Sequence, residues 1–404
     1  MHEDAFDRWI DRRGTASIKW DAYPRYFNLT EEKAQDILPM WVADMDFPAP
    51  TSVLEVLRRQ LDHGILGYST ADVQLKDSVR YWLKKRHGWD VKDDAILFSP
   101  GVVPSMGLSI LALTEPGDGV LIFPPVYKPF YTVVETSGRK LLKSPLKLEE
   151  GSGGTMRYVL DPLHLETVLH NEQPRLILLC SPHNPTGRVF TEAELTALLE
   201  LAMRYKIAIV SDEIHADLVF PPHKHIPLGR HPLAQKTPVL TLMAPTKTFN
   251  LAGLQGSMII VEDSEIRDKL ANSLLRFGLN HLNTFAQLAM TEAYRNGEAW
   301  LDQVLHYLRE NMRYVQKTLS DALPMAKIFM PEGTYLMWID LRAYAQSEGE
   351  LREKIIERGK LLVNFGSDYG PEGEGYIRLN VAAPRSTVEE GVRRMVQALS
   401  PSWA

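Results

Sequence analysis

The sequence predicts an α/β protein, with a large domain built on a mostly parallel, seven-stranded sheet covered by helices and a smaller α+β domain after it. Three observations carry this expectation. Short apolar runs alternate with helical patterns from about residue 49 to residue 272, long helical patterns take over beyond it, and 404 residues exceed the size at which one core usually stops growing. The expected division is an N-terminal arm over 1–48, a large domain over 49–289 and a small domain over 290–404.

The arm is rich in aromatic and charged residues, is broken at Pro24 and Pro39, and ends in Leu38-Pro-Met-Trp-Val-Ala-Asp-Met-Asp-Phe47. Its tryptophans and methionines need a surface to cover, so it is expected to pack on a domain or on a second subunit. Residues 52–63 read as a helix capped by Thr51 or Ser52, with Val53, Val56, Leu57 and Leu61 on one face. A second helix spans 75–87, closed by Gly88, and the Lys84-Lys85-Arg86 cluster sits at its end. Apolar runs at 95–98, 120–123, 140–142, 176–180, 207–210, 239–243 and 258–261 are the seven expected strands. Helical patterns at 103–113, 127–136, 163–169 and 192–205 fall between them, the arrangement of a parallel sheet covered on both faces. The second domain is expected from helices at 285–295, 298–323, 350–358 and 388–399, with strands at 328–331, 335–341, 361–363 and 376–381. The Gly151-Ser-Gly-Gly154 patch reads as a surface loop.

Composition narrows the classes of function. An apolar fraction of 45%, a charged fraction of 24% and a net charge of −6 are those of an ordinary soluble globular protein. No basic block marks a nucleic-acid surface, and no apolar run approaches membrane-spanning length. The first residues lack the apolar core of a signal peptide, and Cys180, the single cysteine, excludes an internal disulfide framework; a cytoplasmic enzyme is expected.

In parallel α/β sheets, ligands sit outside the carboxyl ends of the strands. Ser99-Pro-Gly-Val-Val-Pro104 follows one strand and opens a helix, so the N–H groups of Gly101, Val102 and Val103 are placed to hold a phosphate. Other strand ends present Tyr127 in Pro124-Pro-Val-Tyr-Lys-Pro-Phe130, Asn184 in Ser181-Pro-His-Asn-Pro-Thr-Gly-Arg188, and Asp212 in Ser211-Asp-Glu-Ile-His215. Lys247, in Pro245-Thr-Lys-Thr248, leaves the run 239–243. A lysine at the exit of a buried strand is desolvated, which frees its amine to act as nucleophile or base. Each feature also has a plain structural reading: a turn glycine, a core-edge tyrosine, a turn asparagine, a capping acid, a lysine snorkelling to water. Together they supply a phosphate cradle, a stacking aromatic, an amide donor, an acid and an imine-forming amine, the set that pyridoxal phosphate requires. His223, His225 and His231 read as solvated loop histidines rather than metal ligands, and Cys180 as a packed residue.

These motifs, with His63-Gly-Ile-Leu-Gly-Tyr68 and Lys247-Thr-Phe-Asn-Leu-Ala-Gly-Leu254, resemble the fold-type I pyridoxal-phosphate enzymes of the aspartate aminotransferase superfamily. Within it, they look like the MalY/PatB-type cystathionine β-lyases. The resemblance implies a pyridoxal 5′-phosphate enzyme cleaving S-substituted cysteines to a thiol, pyruvate and ammonia. It makes Lys247 the Schiff-base lysine and Asp212 the partner of the pyridine nitrogen. Asn184 would bond the phenolic oxygen, Tyr127 would stack on the ring, and either Lys247 or Tyr127 would give the departing thiolate its proton. His215 stands where many relatives carry a tyrosine beside the cofactor. Arg378 in Tyr376-Ile-Arg-Leu-Asn380, with Ala43, would hold the substrate carboxylate. Thr246 and the partner subunit's Tyr68 would join the phosphate site, with that tyrosine also near substrate, which implies a homodimer with shared sites. Many aminotransferases place serine and arginine where Ala244 and Gln255 stand here, which shifts weight from an aminotransferase toward the lyase group. An amino-acid aminotransferase is the alternative expectation, and a non-catalytic partner-binding protein on the same fold a further one.

Overall fold

A computed structural model describes residues 4–70, 73–150 and 156–400. The Gly151–Gly154 patch, expected as a surface loop, lies outside the described residues. In chain order the strands are β1 (Leu38–Pro39), β2 (Ile96–Ser99), β3 (Gly119–Ile122), β4 (Lys140–Lys143), β5 (Lys147–Glu150), β6 (Met156–Val159), β7 (Leu176–Cys180) and β8 (Ala208–Asp212). They continue as β9 (Val239–Met243), β10 (Ser257–Ile260), β11 (Lys327–Phe329), β12 (Leu336–Asp340), β13 (Leu361–Leu362), β14 (Asn364–Phe365) and β15 (Tyr376–Asn380).

The large sheet has seven strands in the order β2-β10-β9-β8-β7-β3-β4. All its pairings are parallel except those of β10, which runs antiparallel to both β2 and β9. The side-chain period of two sorts each central strand between two cores. Leu176, Leu178 and Cys180 pack with the helices Val102–Leu113, Pro129–Thr136 and Ser264–Arg276, whereas Ile177 and Leu179 face the helices Pro162–Glu172 and Glu192–Tyr205. Register then levels the strand ends: Cys180 lies opposite Asp212, and Asp212 opposite Leu242. The chain segments leaving β7, β8 and β9 therefore emerge side by side.

Local signals explain most helix ends. Thr191 and Glu194 form a reciprocal capping box for Glu192–Tyr205. The helix Thr51–His63 starts at Thr51 after Pro50 and has no side-chain cap, so neither Thr51 nor Ser52 caps it as expected. The elements that local patterning does not signal include one helix and one hairpin. The helix Ser264–Arg276 buries Ile266, Leu270 and Leu274, a narrow one-residue-per-turn stripe within a polar segment. The β5–β6 hairpin has no buried face clean enough to show alternation.

Beyond the large sheet, β11-β12-β15-β14 form an antiparallel four-stranded sheet, beside the long helices Glu298–Ala322 and Arg385–Leu399. The arm packs on its own chain: β1 pairs in parallel with β13, and Phe6 meets Phe47 and Trp300 edge-on at 5.2 and 5.9 Å. No helix among the described residues is long and apolar enough to cross a membrane.

Candidate active site

The level strand ends open into a cleft of about 1150 Å³. Lys247, Tyr127 and Arg378 line it, with Ala43, Trp41 and Val103 from the arm and the first βα turn. Lys247 is delivered by fully buried β9 and sits in the single turn Pro245–Thr248, whose first residue is a proline. Its Nζ donates to the Ala43 carbonyl at 2.6 Å. Burial pushes the amine down, Asp44 and Asp212 pull it up, Arg378 opposes them, and the result is about 8.

Asp212 ends β8. Burial raises its carboxyl to about 7 against the Ile214 N–H, which donates to Oδ1 at 3.1 Å. A desolvated carboxylate of this kind gains from a cation placed beside it. His215, one turn on, is buried and held neutral: burial first, then the positive charges of Lys247 and Arg378, lower it to about 3. Its Nδ1 is buried with no hydrogen-bond partner.

Asn184 hangs from the end of β7 by its N–H, which donates to Cys180 Sγ at 3.5 Å, while its carbonyl accepts from Tyr127 N at 3.1 Å. That bond brings the β3 and β7 turns together. Burial raises the Tyr127 phenol above its ordinary value, so it stays protonated. Arg378, on buried β15, donates from Nη1 to Asn184 Oδ1 at 3.0 Å and from Nη2 to Trp41 O at 2.8 Å and Asn364 Oδ1 at 2.6 Å. Its Nε is buried without a partner. Asn184, with its oxygen engaged, keeps its amide N–H groups as donors.

The helix Val102–Leu113 begins after Gly101 with no side-chain cap, leaving its first N–H groups and its positive end toward the cleft side of β2. Val102 is buried and Val103 sits at the cleft margin; Thr246 is half-buried beside Lys247. Tyr68 is fully exposed, next to exposed Ile65 and Leu66. Of the positions that departed from the aminotransferase pattern, Ala244 is buried and Gln255 takes a left-handed φ of 55°.

Three residues escaped the sequence reading. Asn364 pairs with Arg378 across β14–β15, Tyr369 lies under the Arg378 guanidinium at 5.2 Å, and Tyr335 donates to Ala43 O at 2.9 Å. Only Tyr335 carried a signal, as a tyrosine after Gly333-Thr334 at the start of a strand. Of the three loop histidines, His223 is exposed as expected, and the other two require a correction. His225 is buried with Nε2 on Glu213 Oε2 at 2.7 Å, and His231 is buried with Nε2 on Thr196 Oγ1 at 3.1 Å, so neither is solvated. Cys180 is buried, and burial holds its thiol well above the ordinary range.

The donor set fits pyridoxal phosphate on this geometry: an uncapped helix start, a desolvated carboxylate at a strand end, unpartnered buried polar atoms and a neutral-range amine. A lysine, an acid and an asparagine at adjacent strand ends of a mostly parallel sheet define a fold-type I pyridoxal-phosphate enzyme. The family model for aminotransferase class I and II matches residues 35–395. The cystathionine β-lyase PatB of Bacillus subtilis is 44% identical over 98% of this chain and 100% of its own length. Protein MalY of Escherichia coli is 33% identical over 98% of each chain. The crystal structure of cystalysin from Treponema denticola, which contains pyridoxal 5′-phosphate, superposes with a TM-score of 0.91 at 33% identity over 98% of each chain. The chain belongs to the aminotransferase class I and II family, and within it to the PatB/MalY group; its cofactor is pyridoxal 5′-phosphate.

Proposed function

We propose that this protein is a carbon–sulfur β-lyase that cleaves cystathionine and related S-substituted cysteines to a thiol, pyruvate and ammonia. The observation that carries the reading is the placement of an amine tuned to about 8, Lys247, beside the buried, asparagine-held guanidinium of Arg378. When bound, the cofactor supplies an electron sink for a carbanion at the substrate's α-carbon. Asp212 would hold the pyridine nitrogen in its protonated form. Asn184 would donate its amide N–H to the phenolic oxygen, with His215 close by and Tyr127 against the ring. Gly101, Val102 and Val103 N–H groups and Thr246 would take the phosphate.

The substrate's α-carboxylate would pair with Arg378, near Ala43, with the remaining N–H groups of the guanidinium as donors. Lys247 would then remove the α-proton and pass it to the departing sulfur, with the protonated Tyr127 phenol as a second donor at that position. The arm, large and small units are taken as 1–48, 49–289 and 290–404. The exposed Ile65, Leu66 and Tyr68 run supports a homodimer in which the partner subunit's Tyr68 reaches this site. A single buried cysteine supports a reducing, cytoplasmic location.

Incubation of the holoenzyme with cystathionine tests the function. The expected products are pyruvate, ammonia and homocysteine, formed without any keto-acid acceptor. Strict dependence on an acceptor would make the protein an aminotransferase, the other chemistry its family name covers.

A further inference from the structure

The segment 41–47 is fixed from every side. Arg378 holds the Trp41 carbonyl, Asn380 Nδ2 holds those of Val42 and Asp44 at 2.6 and 2.7 Å, and Asn250 Nδ2 holds those of Met45 and Phe47 at 2.9 and 2.8 Å. Its two carboxylates are tied to earlier residues of the arm, Asp44 to Arg12 at 2.6 Å and Asp46 to Lys19 at 2.6 Å. The Ala43 carbonyl lies in the middle of this clamp and cannot turn away without breaking bonds on both sides. It accepts two donors: the Lys247 amine at 2.6 Å and the Tyr335 hydroxyl at 2.9 Å. Tyr335 is itself completely buried, edge-on to the His215 ring at 6.1 Å.

We propose that Tyr335 is a positioning residue for the lysine, acting through the Ala43 carbonyl that the two side chains share. The assignment rests on Lys247 being the lysine of the proposed reaction. A carbonyl oxygen has two lone pairs. With one taken by Tyr335, the oxygen offers one acceptor site to the Lys247 amine and a weakened attraction for its ammonium form. The amine is thus held by one N–H on the substrate side of the cleft whenever it is not joined to another group. Loss of the phenolic donor leaves the oxygen more basic, which strengthens its bond to the ammonium N–H and favours the protonated amine. Burial keeps the Tyr335 phenol far above its ordinary value, so it remains a donor throughout the working range. The charges facing the pair stay in place in such a variant: Asp44 and Asp212 favour the ammonium, Arg378 opposes it, and His215 is neutral. The neighbouring Tyr127 phenol is protonated.

The test is competitive acetylation of the full-length chain freed of cofactor, with Lys247 followed by peptide mass spectrometry as pH is varied. Tyr335→Phe is expected to move the Lys247 midpoint up by about half a unit to one unit, the worth of one hydrogen bond. Replacement of Tyr335 by 3-fluorotyrosine, a stronger donor of nearly the same shape, is expected to move it down. In the holoenzyme, the acid limb of the kcat profile should follow in the same directions. Midpoints unmoved in both variants, or moved against these signs, overturn the assignment. If Tyr335→Phe fails to fold, the fluorinated chain alone decides it, because the sign of its shift is fixed by the argument. Failure of cystathionine cleavage would leave these titrations unaffected, so the two readings fail separately.

Discussion

Asp217 ties the lysine turn to the helix Val73–His87, and its replacement by asparagine should be costly although the residue is not among those lining the cleft. Its Oδ1 accepts from Trp82 Nε1 at 2.9 Å and faces His87 Nε2 at 2.9 Å, while Oδ2 accepts from Thr248 Oγ1 at 2.8 Å. All of these groups are buried, and Thr248 is the residue after Lys247. Asparagine keeps one oxygen for Trp82 and His87 but turns two charge-assisted bonds into neutral ones, about 1 kcal/mol each. It also presents an NH2 to the Thr248 hydroxyl, so Asp217→Asn should cost about 2–3 kcal/mol. Asp217→Ala leaves three buried polar groups without their acceptor and should cost about 3–5 kcal/mol. Urea unfolding of the holoenzyme near neutral pH measures both. Burial pushes the Asp217 carboxyl up, but the His87 hydrogen bond and charge, with Thr248 and Trp82, outweigh it and hold the group below the usual range. A depressed carboxyl contributes stability above its unfolded value and loses it as pH falls. The gap between wild type and Asp217→Asn should therefore persist from neutrality to about pH 4 and close below it. A cost under about 1 kcal/mol, or a gap that closes between pH 8 and 6, would refute this account of the network.

Other outcomes follow from the same geometry. Lys247→Ala should abolish cystathionine cleavage and the absorbance of lysine-linked cofactor while the circular dichroism spectrum stays native, because the side chain lines the cleft and its hydrogen bond goes to Ala43 O, another cleft residue. Arg378→Lys should lower kcat/KM by about 10²-fold or more, since one ammonium cannot serve Asn184, Asn364, Trp41 O and a carboxylate together; steady-state kinetics would register it mainly in KM. Asn364→Ala should act in the same direction but more weakly, by about tenfold, through a guanidinium that has lost one of its anchors. The kcat profile should fall on the acid side of about pH 8, where the Lys247 amine takes up its proton and can no longer accept one from substrate.

Much of this was legible in the residues alone. The seven apolar runs correspond to the seven strands of the large sheet, because a strand buried on both faces is apolar along most of its length, as β7 is throughout and β9 is except at Thr241. The positions of Tyr127, Asn184, Asp212 and Lys247 just past those runs also follow from sequence, since parallel strands carry their ligand-facing ends at the same edge. Strand direction was not legible: β10 is as apolar as its neighbours, and only its pairing shows it antiparallel. Nor were the contacts that tune the site, which join residues far apart in the chain. Arg378 meets Asn184 across 194 positions and Lys247 meets Ala43 across 204, and no local periodicity records either. His225 shows the same division, for its loop composition reads as solvent-exposed while the fold buries it against Glu213. Residue type and spacing determined which chemistry this chain can carry. The tertiary structure decided the shared Ala43 carbonyl, the anchored guanidinium and the shifted amine, because desolvation and long-range hydrogen bonds exist only once distant segments are packed together.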